Sequence, residues 1–130
     1  MVDIISYQEA YNEAEDVRNG TITDKVLMIV FTMANCDVCQ PWMKEVIEPI
    51  SEQFKDELRI VQVHIDKEPL IFPPPQVPTS YFFVPGRPRE EYVSRLGPAP
   101  LEFVERDVAR FLNMKNEKQS LYQAFYKEDK

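Results

Sequence analysis

The two cysteines of the chain, Cys36 and Cys39, sit in the stretch Asn35-Cys36-Asp37-Val38-Cys39-Gln40-Pro41-Trp42, directly after the most apolar run, residues 26–31. Two cysteines separated by two residues at the start of a helix lie side by side. They can close a disulfide, and a thiolate there faces the positive end of the helix dipole. A pair that follows a strand and opens a helix reads as a redox dithiol. Two other readings compete with it. A closed zinc site wants four ligands, and the chain offers two cysteines and one histidine, His64, so a carboxylate or a second subunit would have to complete it. Free cysteine is also among the most buried residue types, so an inert core pair is the other alternative.

The rest of the chain must supply a scaffold for that pair. At 130 residues it has the length of one domain, and with 44% hydrophobic and 28% charged residues its composition is globular rather than disordered. No apolar run approaches the roughly 20 residues that span a bilayer, so no membrane segment is expected. The first residues carry no basic segment followed by a long apolar region. The expectation is therefore a chain without a secretory signal, in a reducing cytoplasm. Fifteen basic residues against twenty-two acidic ones give a net charge of -7, which repels phosphate backbones and argues against nucleic acid as a partner.

Taken in order, Val2 to Ile5 reads as a short strand. Ser6 and Glu9 then have the spacing of a capping box, so a helix begins there. Ala10, Tyr11, Ala14 and Val17 mark its apolar face, and Asn19-Gly20 is its stop. Residues 26–31 read as a central strand covered on both faces. The helix after the dithiol carries Trp42, Met43, Val46, Ile47 and Ile50 on one side, with Phe54 in its last turn. Pro41 suits a first turn, whereas Pro49 lies deeper and predicts a kink or a division. Residues 58–65 return to strand composition, and strand, helix, strand makes a βαβ unit with parallel strands. Residues 66–76 are too proline-rich for a regular helix and read as an irregular loop. Residues 80–84 and 91–95 form a hairpin around Pro85-Gly86-Arg87-Pro88, and Gly97-Pro98-Ala99-Pro100 breaks it. A helix follows, marked by Leu101, Val104, Val108, Phe111 and Leu112. Residues 113–130 read as a polar, helical C-terminal extension with a stripe of Leu121, Tyr122, Phe125 and Tyr126, either docked or facing a partner.

The fold class is thus α/β: β-α-β-α-β, a proline-rich loop, then β-β-α, with a central mixed sheet and helices on both faces. That order, with Cys-X-X-Cys after the second strand, resembles the thioredoxin family over residues 1–112. Val77-Pro78-Thr79, opening a strand well after the dithiol, looks like the family's cis-proline segment. The turn at Gly86 and the break at Gly97 look like further landmarks. The resemblance implies that Cys36 is the attacking thiol and Cys39 the buried resolving thiol, and that Val77, Pro78, Thr79, Trp42 and Gly97 shape a substrate site. It also implies that no cofactor is needed. Partners would be proteins carrying disulfides, with electrons supplied by a reductase or a small thiol.

The chain departs from the family in several places. Asn35 replaces a tryptophan, and Asp37-Val38 replaces Gly-Pro between the cysteines. The Asp37 carboxylate repels a neighbouring thiolate, which predicts a less acidic Cys36 and a more reducing couple. The family's buried aspartate falls on Val30 and its lysine partner near Gln62, so the usual proton relay is absent, leaving water or Asp37 as acceptor. His64 lies two residues after Gln62 on the same strand face and could approach the site, although a strand-end position is the plainer reading. The leading expectation is a thiol-disulfide oxidoreductase, more specifically a disulfide reductase. The alternative is a thioredoxin-fold interaction module whose dithiol is vestigial or regulatory.

Overall fold

Every residue of strand β2 (Val26–Thr32) is buried, and the sheet is arranged around it. In the computed structural model, which describes residues 2–19, 25–67, 74, 76–85 and 93–117, β2 is the middle strand of five. Strand β1 (Asp3–Ile4) and helix α1 (Tyr7–Asn19) precede it. After it come helix α2 (Cys39–Trp42), a π-helical turn (Met43–Ile47) and helix α3 (Glu48–Gln53). Strands β3 (Leu58–His64), β4 (Thr79–Phe83) and β5 (Val93–Leu96) and helix α4 (Leu101–Glu117) complete the order. The strands lie side by side as β1-β3-β2-β4-β5. β1 and β2 run parallel to β3, while β4 is antiparallel to both β2 and β5.

The unbroken apolar run of β2 follows from cover on both faces. Leu27, Ile29 and Phe31 point to one side, where they meet Ala10, Ala14 and Val17 of α1. Val26, Met28 and Val30 point to the other, against Ile47, Ile50, Val108 and Phe111. Each large side chain fully buried in this way contributes about 1.5–3 kcal/mol. The helices on both faces therefore hold the central strand, and β2 in turn fixes the place where the dithiol emerges.

Local signals in the sequence account for most boundaries. Ser6 and Glu9 form the expected capping box, with the Glu9 amide donating to Ser6 Oγ at 3.1 Å and the Ser6 amide to Glu9 Oε1 at 2.9 Å. Tyr11, expected on the buried face of α1, is exposed because it lies about 100° round the helix from its neighbour Ala10. Leu101, in the first turn of α4, is likewise exposed, whereas Val104, Val108, Phe111 and Leu112 are buried. That helix continues to Glu117, and Met114 joins the same core. Pro49 divides the second helical segment as expected. It has no amide to donate, and the π-helical turn before it closes with the Glu48 amide on the Met43 carbonyl. Arg59 of β3 joins α1 and β1 through Glu13, at 2.6 and 2.7 Å, and Asp3, at 3.0 Å.

Gly20, most of the proline-rich stretch, the Gly86 turn and the 121–126 stripe lie outside the described residues. Among the described residues no helix is long and apolar enough to cross a membrane.

Candidate functional site

The strand register brings four segments to one end of the sheet. Thr32 at the end of β2 is level with His64 at the end of β3, and Phe31 is level with Thr79 at the start of β4. Thr79 in turn is level with Leu96 at the end of β5. The dithiol loop, the Val77-Pro78 segment, Gly97 and the end of β3 therefore all emerge at the carboxyl ends of the parallel strands, where open α/β sheets place their sites.

Cys36 and Cys39 form a disulfide there, with their Cα atoms 5.3 Å apart. Helix α2 begins at Cys39, so Cys36 occupies the turn before it, its own amide donating to the Met33 carbonyl at 3.3 Å. The Cys39 amide donates to Cys36 Sγ at 3.1 Å and to the Cys36 carbonyl at 3.3 Å, so a helix-start N–H is shared between the outer sulfur and its own backbone. The two sulfurs are not equivalent. Cys36 is half-buried and Cys39 is 1% exposed, so an incoming molecule meets Cys36 first. Asp37 and Val38, between them, are both exposed.

On one side of the disulfide the structure joins α2 to the start of β4. The Val77-Pro78 peptide is cis, and Pro78 is buried. Its carbonyl accepts the Gly97 amide at 2.8 Å, and Thr79 Oγ1 donates to the Gln76 carbonyl at 2.6 Å. Gly97 has φ of 82°, in the left-handed region, and a Cβ there would stand 3.3 Å from Gln76 Nε2. Trp42 is buried and donates its Nε1 hydrogen to the Ala99 carbonyl at 2.7 Å. The bonds from Trp42 to Ala99 and from Gly97 to Pro78 thus link the dithiol helix to the cis-proline segment. Arg95 anchors the same strand to α4 through Asp107, at 2.8 and 3.0 Å, and this carboxylate makes the guanidinium hold its proton more tightly than usual.

On the other side lies a cavity of about 370 Å³, bordered by Cys39 and Met43 of the helix and by Thr32, Gln62 and His64 of the sheet. Gln62 Nε2 donates to Thr32 Oγ1 at 2.9 Å, and Thr32 Oγ1 lies 3.2 Å from His64 Nδ1. Val30, where the resemblance would put a carboxylate, is fully buried in the apolar core. His64 does more than end a strand, because it borders the same cavity as Cys39. Thr32 went unread in the sequence. The signal was there: it is the one polar residue closing an apolar run, and period-two alternation puts it on the Met28 and Val30 face. The third polar group of this site, Gln62, was visible only as an odd replacement. Among the described residues no group of three His, Cys, Asp or Glu side chains is gathered to hold a metal ion.

No protein-family model and no curated protein matches the sequence. Solved structures do match in three dimensions. Chloroplastic thioredoxin z aligns with a TM-score of 0.68 at 18% identity, over 85% of this chain and 93% of that one. A single-substitution variant of thioredoxin from Halobacterium salinarum gives 0.65 at 16% identity, over 85% and 90%. Deadhead, a germline-specific thioredoxin of Drosophila melanogaster, gives 0.63 at 14% identity, over 85% and 98%. With this topology, and with a Cys-X-X-Cys disulfide between the central strand and the helix that follows it, the chain has the thioredoxin fold.

Proposed function

We propose that the protein is a thiol-disulfide oxidoreductase that works as a disulfide reductase on protein substrates. The observation that carries this reading is the asymmetry of the pair: a half-buried Cys36 bonded to a Cys39 that is 1% exposed, with a backbone amide on the outer sulfur. An N–H directed at Cys36 Sγ stabilises a thiolate there, which is the nucleophilic form. In the reduced protein the Cys36 thiolate attacks one sulfur of a substrate disulfide. A bond forms between Cys36 and that sulfur while the other sulfur leaves as a thiolate. Cys39 then loses its proton and attacks Cys36 Sγ, the mixed disulfide breaks, and the second substrate thiolate departs. The substrate gains two electrons and the protein closes the Cys36–Cys39 bond.

Val77, in the bend just before β4, would offer its backbone for β-type pairing with the substrate chain. Thr79 and Gly97 hold that segment through their bonds to Gln76 and Pro78. Trp42 enters as a strut, since its indole N–H is used on Ala99. A reductase protein or a small thiol returns the electrons, no bound cofactor is required, and the reducing cytoplasm suits the reaction. Asp37 is exposed, so its repulsion of a Cys36 thiolate is screened and biases the couple only slightly towards reduction.

The test is equilibration with defined ratios of oxidised and reduced glutathione or dithiothreitol. A potential at or below about -250 mV is expected of a reductant, whereas one near about -150 mV would assign the protein to oxidant or isomerase work. One observation favours the alternative interaction module: apolar Val30 and neutral Gln62 stand where the family's proton-handling pair would be. A Cys36→Ser chain that keeps a protein partner while losing exchange would show that binding stands apart from chemistry.

A further inference from the structure

We infer that His64, moored by Thr32, takes the proton from Cys39 across the cavity that both border. The inference rests on the oxidoreductase reading and concerns its second half-reaction. Cys39 must lose a proton to attack the mixed disulfide, yet burial disfavours a thiolate, so a nearby acceptor has to be reached. Val30 offers none. The cavity of about 370 Å³ is roomy enough for several waters, each occupying about 30 Å³ in the liquid, and its polar wall is the Thr32, Gln62 and His64 group.

The hydrogen bonds of that group suit a base. Thr32 Oγ1 takes the Gln62 Nε2 hydrogen and lies 3.2 Å from His64 Nδ1, and since a threonine hydroxyl can accept twice, the resting imidazole is assigned the tautomer whose Nδ1–H donates to Thr32. Nε2 is then the ring nitrogen left to receive a proton. After transfer both ring nitrogens are donors, and the bond to Thr32 survives unchanged. The other titratable groups about the cavity are Lys44 and Glu48, from the helical segment facing β3. Lys44 opposes an imidazolium and Glu48 favours it. β1 contributes only Ile4, and Asp66, just past the end of β3, accepts the Ala34 amide at 3.2 Å.

In the resolving step the Cys39 S–H proton passes through water to His64 Nε2. The Cys39 thiolate bonds to Cys36 Sγ, the Cys36–substrate bond breaks, and the substrate leaves as a thiolate that recovers a proton from solvent or from the imidazolium. Cys36 and Cys39 together lose two electrons and the substrate disulfide gains them.

The experiment mixes the reduced chain rapidly with dithiobis(nitrobenzoate), whose two coloured thiolates leave in sequence. The first release reports the attack by Cys36 and the second the attack by Cys39. His64→Asn can keep a hydrogen bond to Thr32 while removing the base. It is expected to leave the first release unchanged, to slow the second by about tenfold or more, and to flatten its dependence on pH between about 5 and 8. Glu48→Gln, which removes a carboxylate that favours the imidazolium, is expected to slow the second release by less than His64→Asn does and to keep its pH dependence. Thr32→Val, which leaves the imidazole in place but unmoored, should slow the second release by less than His64→Asn does and keep the pH dependence. A second release with native rate and pH profile in His64→Asn overturns the inference. So does equal slowing of both releases, which marks a structural effect, and so does a greater slowing in Glu48→Gln than in His64→Asn. A native chain that gives no second release overturns the oxidoreductase reading itself.

Discussion

The two flanks of the disulfide are built on different principles. The flank towards β4 is made of backbone: a cis peptide at Val77-Pro78, a left-handed Gly97 and amide-to-carbonyl bonds, with Trp42 as a brace. The flank towards β3 is made of side chains: Thr32, Gln62 and His64 around a cavity, over an apolar Val30. The first flank coincides with the thioredoxin pattern and the second departs from it. Left-handed backbone accepts few residue types, so Gly97 has little room to change while the geometry is kept. Proton handling demands only some titratable group within reach, and several side chains can meet that need.

The sharpest way to break this contrast is to impose the family's carboxylate. Val30→Asp would bury a carboxyl group in the apolar face of β2. Urea unfolding at neutral pH should show a loss of about 3–5 kcal/mol, because nothing in that core pairs with the charge. A loss below about 1 kcal/mol would mean that the cavity polar group already solvates position 30, and the two flanks would then share one polar environment. Next in size is Gly97→Ala on the backbone flank. A left-handed alanine with its Cβ 3.3 Å from Gln76 Nε2 should cost about 1–2 kcal/mol in the same assay and slow substrate exchange through Pro78. Native stability and exchange in that variant would remove Gly97 from the architecture of the site. The smallest effect belongs to Asp37, exposed between the cysteines. Asp37→Asn should raise the reduction potential by roughly 15 mV, read by glutathione equilibration. A shift in the opposite direction would show that the carboxylate supports the thiolate instead of repelling it.

Much of this was legible before any coordinates. The run at residues 26–31 announced a strand covered on both faces, Ser6 and Glu9 announced a helix start, and Pro49 announced a break. Each is a local rule with a strong physical cause. The misplacements came where a face had to be assigned near an edge, as with Tyr11 and Leu101, since one residue along a helix is a rotation of about 100°. The dithiol and Val77-Pro78-Thr79 could be read because rare residue types mark them. The group on Thr32, Gln62 and His64 could be read only in part, because it assembles once β2 and β3 are set in register, thirty-two residues apart, with Val30 beside Gln62 and Thr32 beside His64.

The π-helical turn also bears on the disulfide end of the molecule. A wider turn takes up one more residue than an α-helical one, so Cys39 before it and Ile50 after it need not share a single helical phase. The turn works as a slip joint. Ile47 and Ile50 can stay locked into the core while the segment ahead of them points the buried thiol at its cavity. Pro49, ten residues beyond Cys39, thereby helps to set how the dithiol segment meets the core.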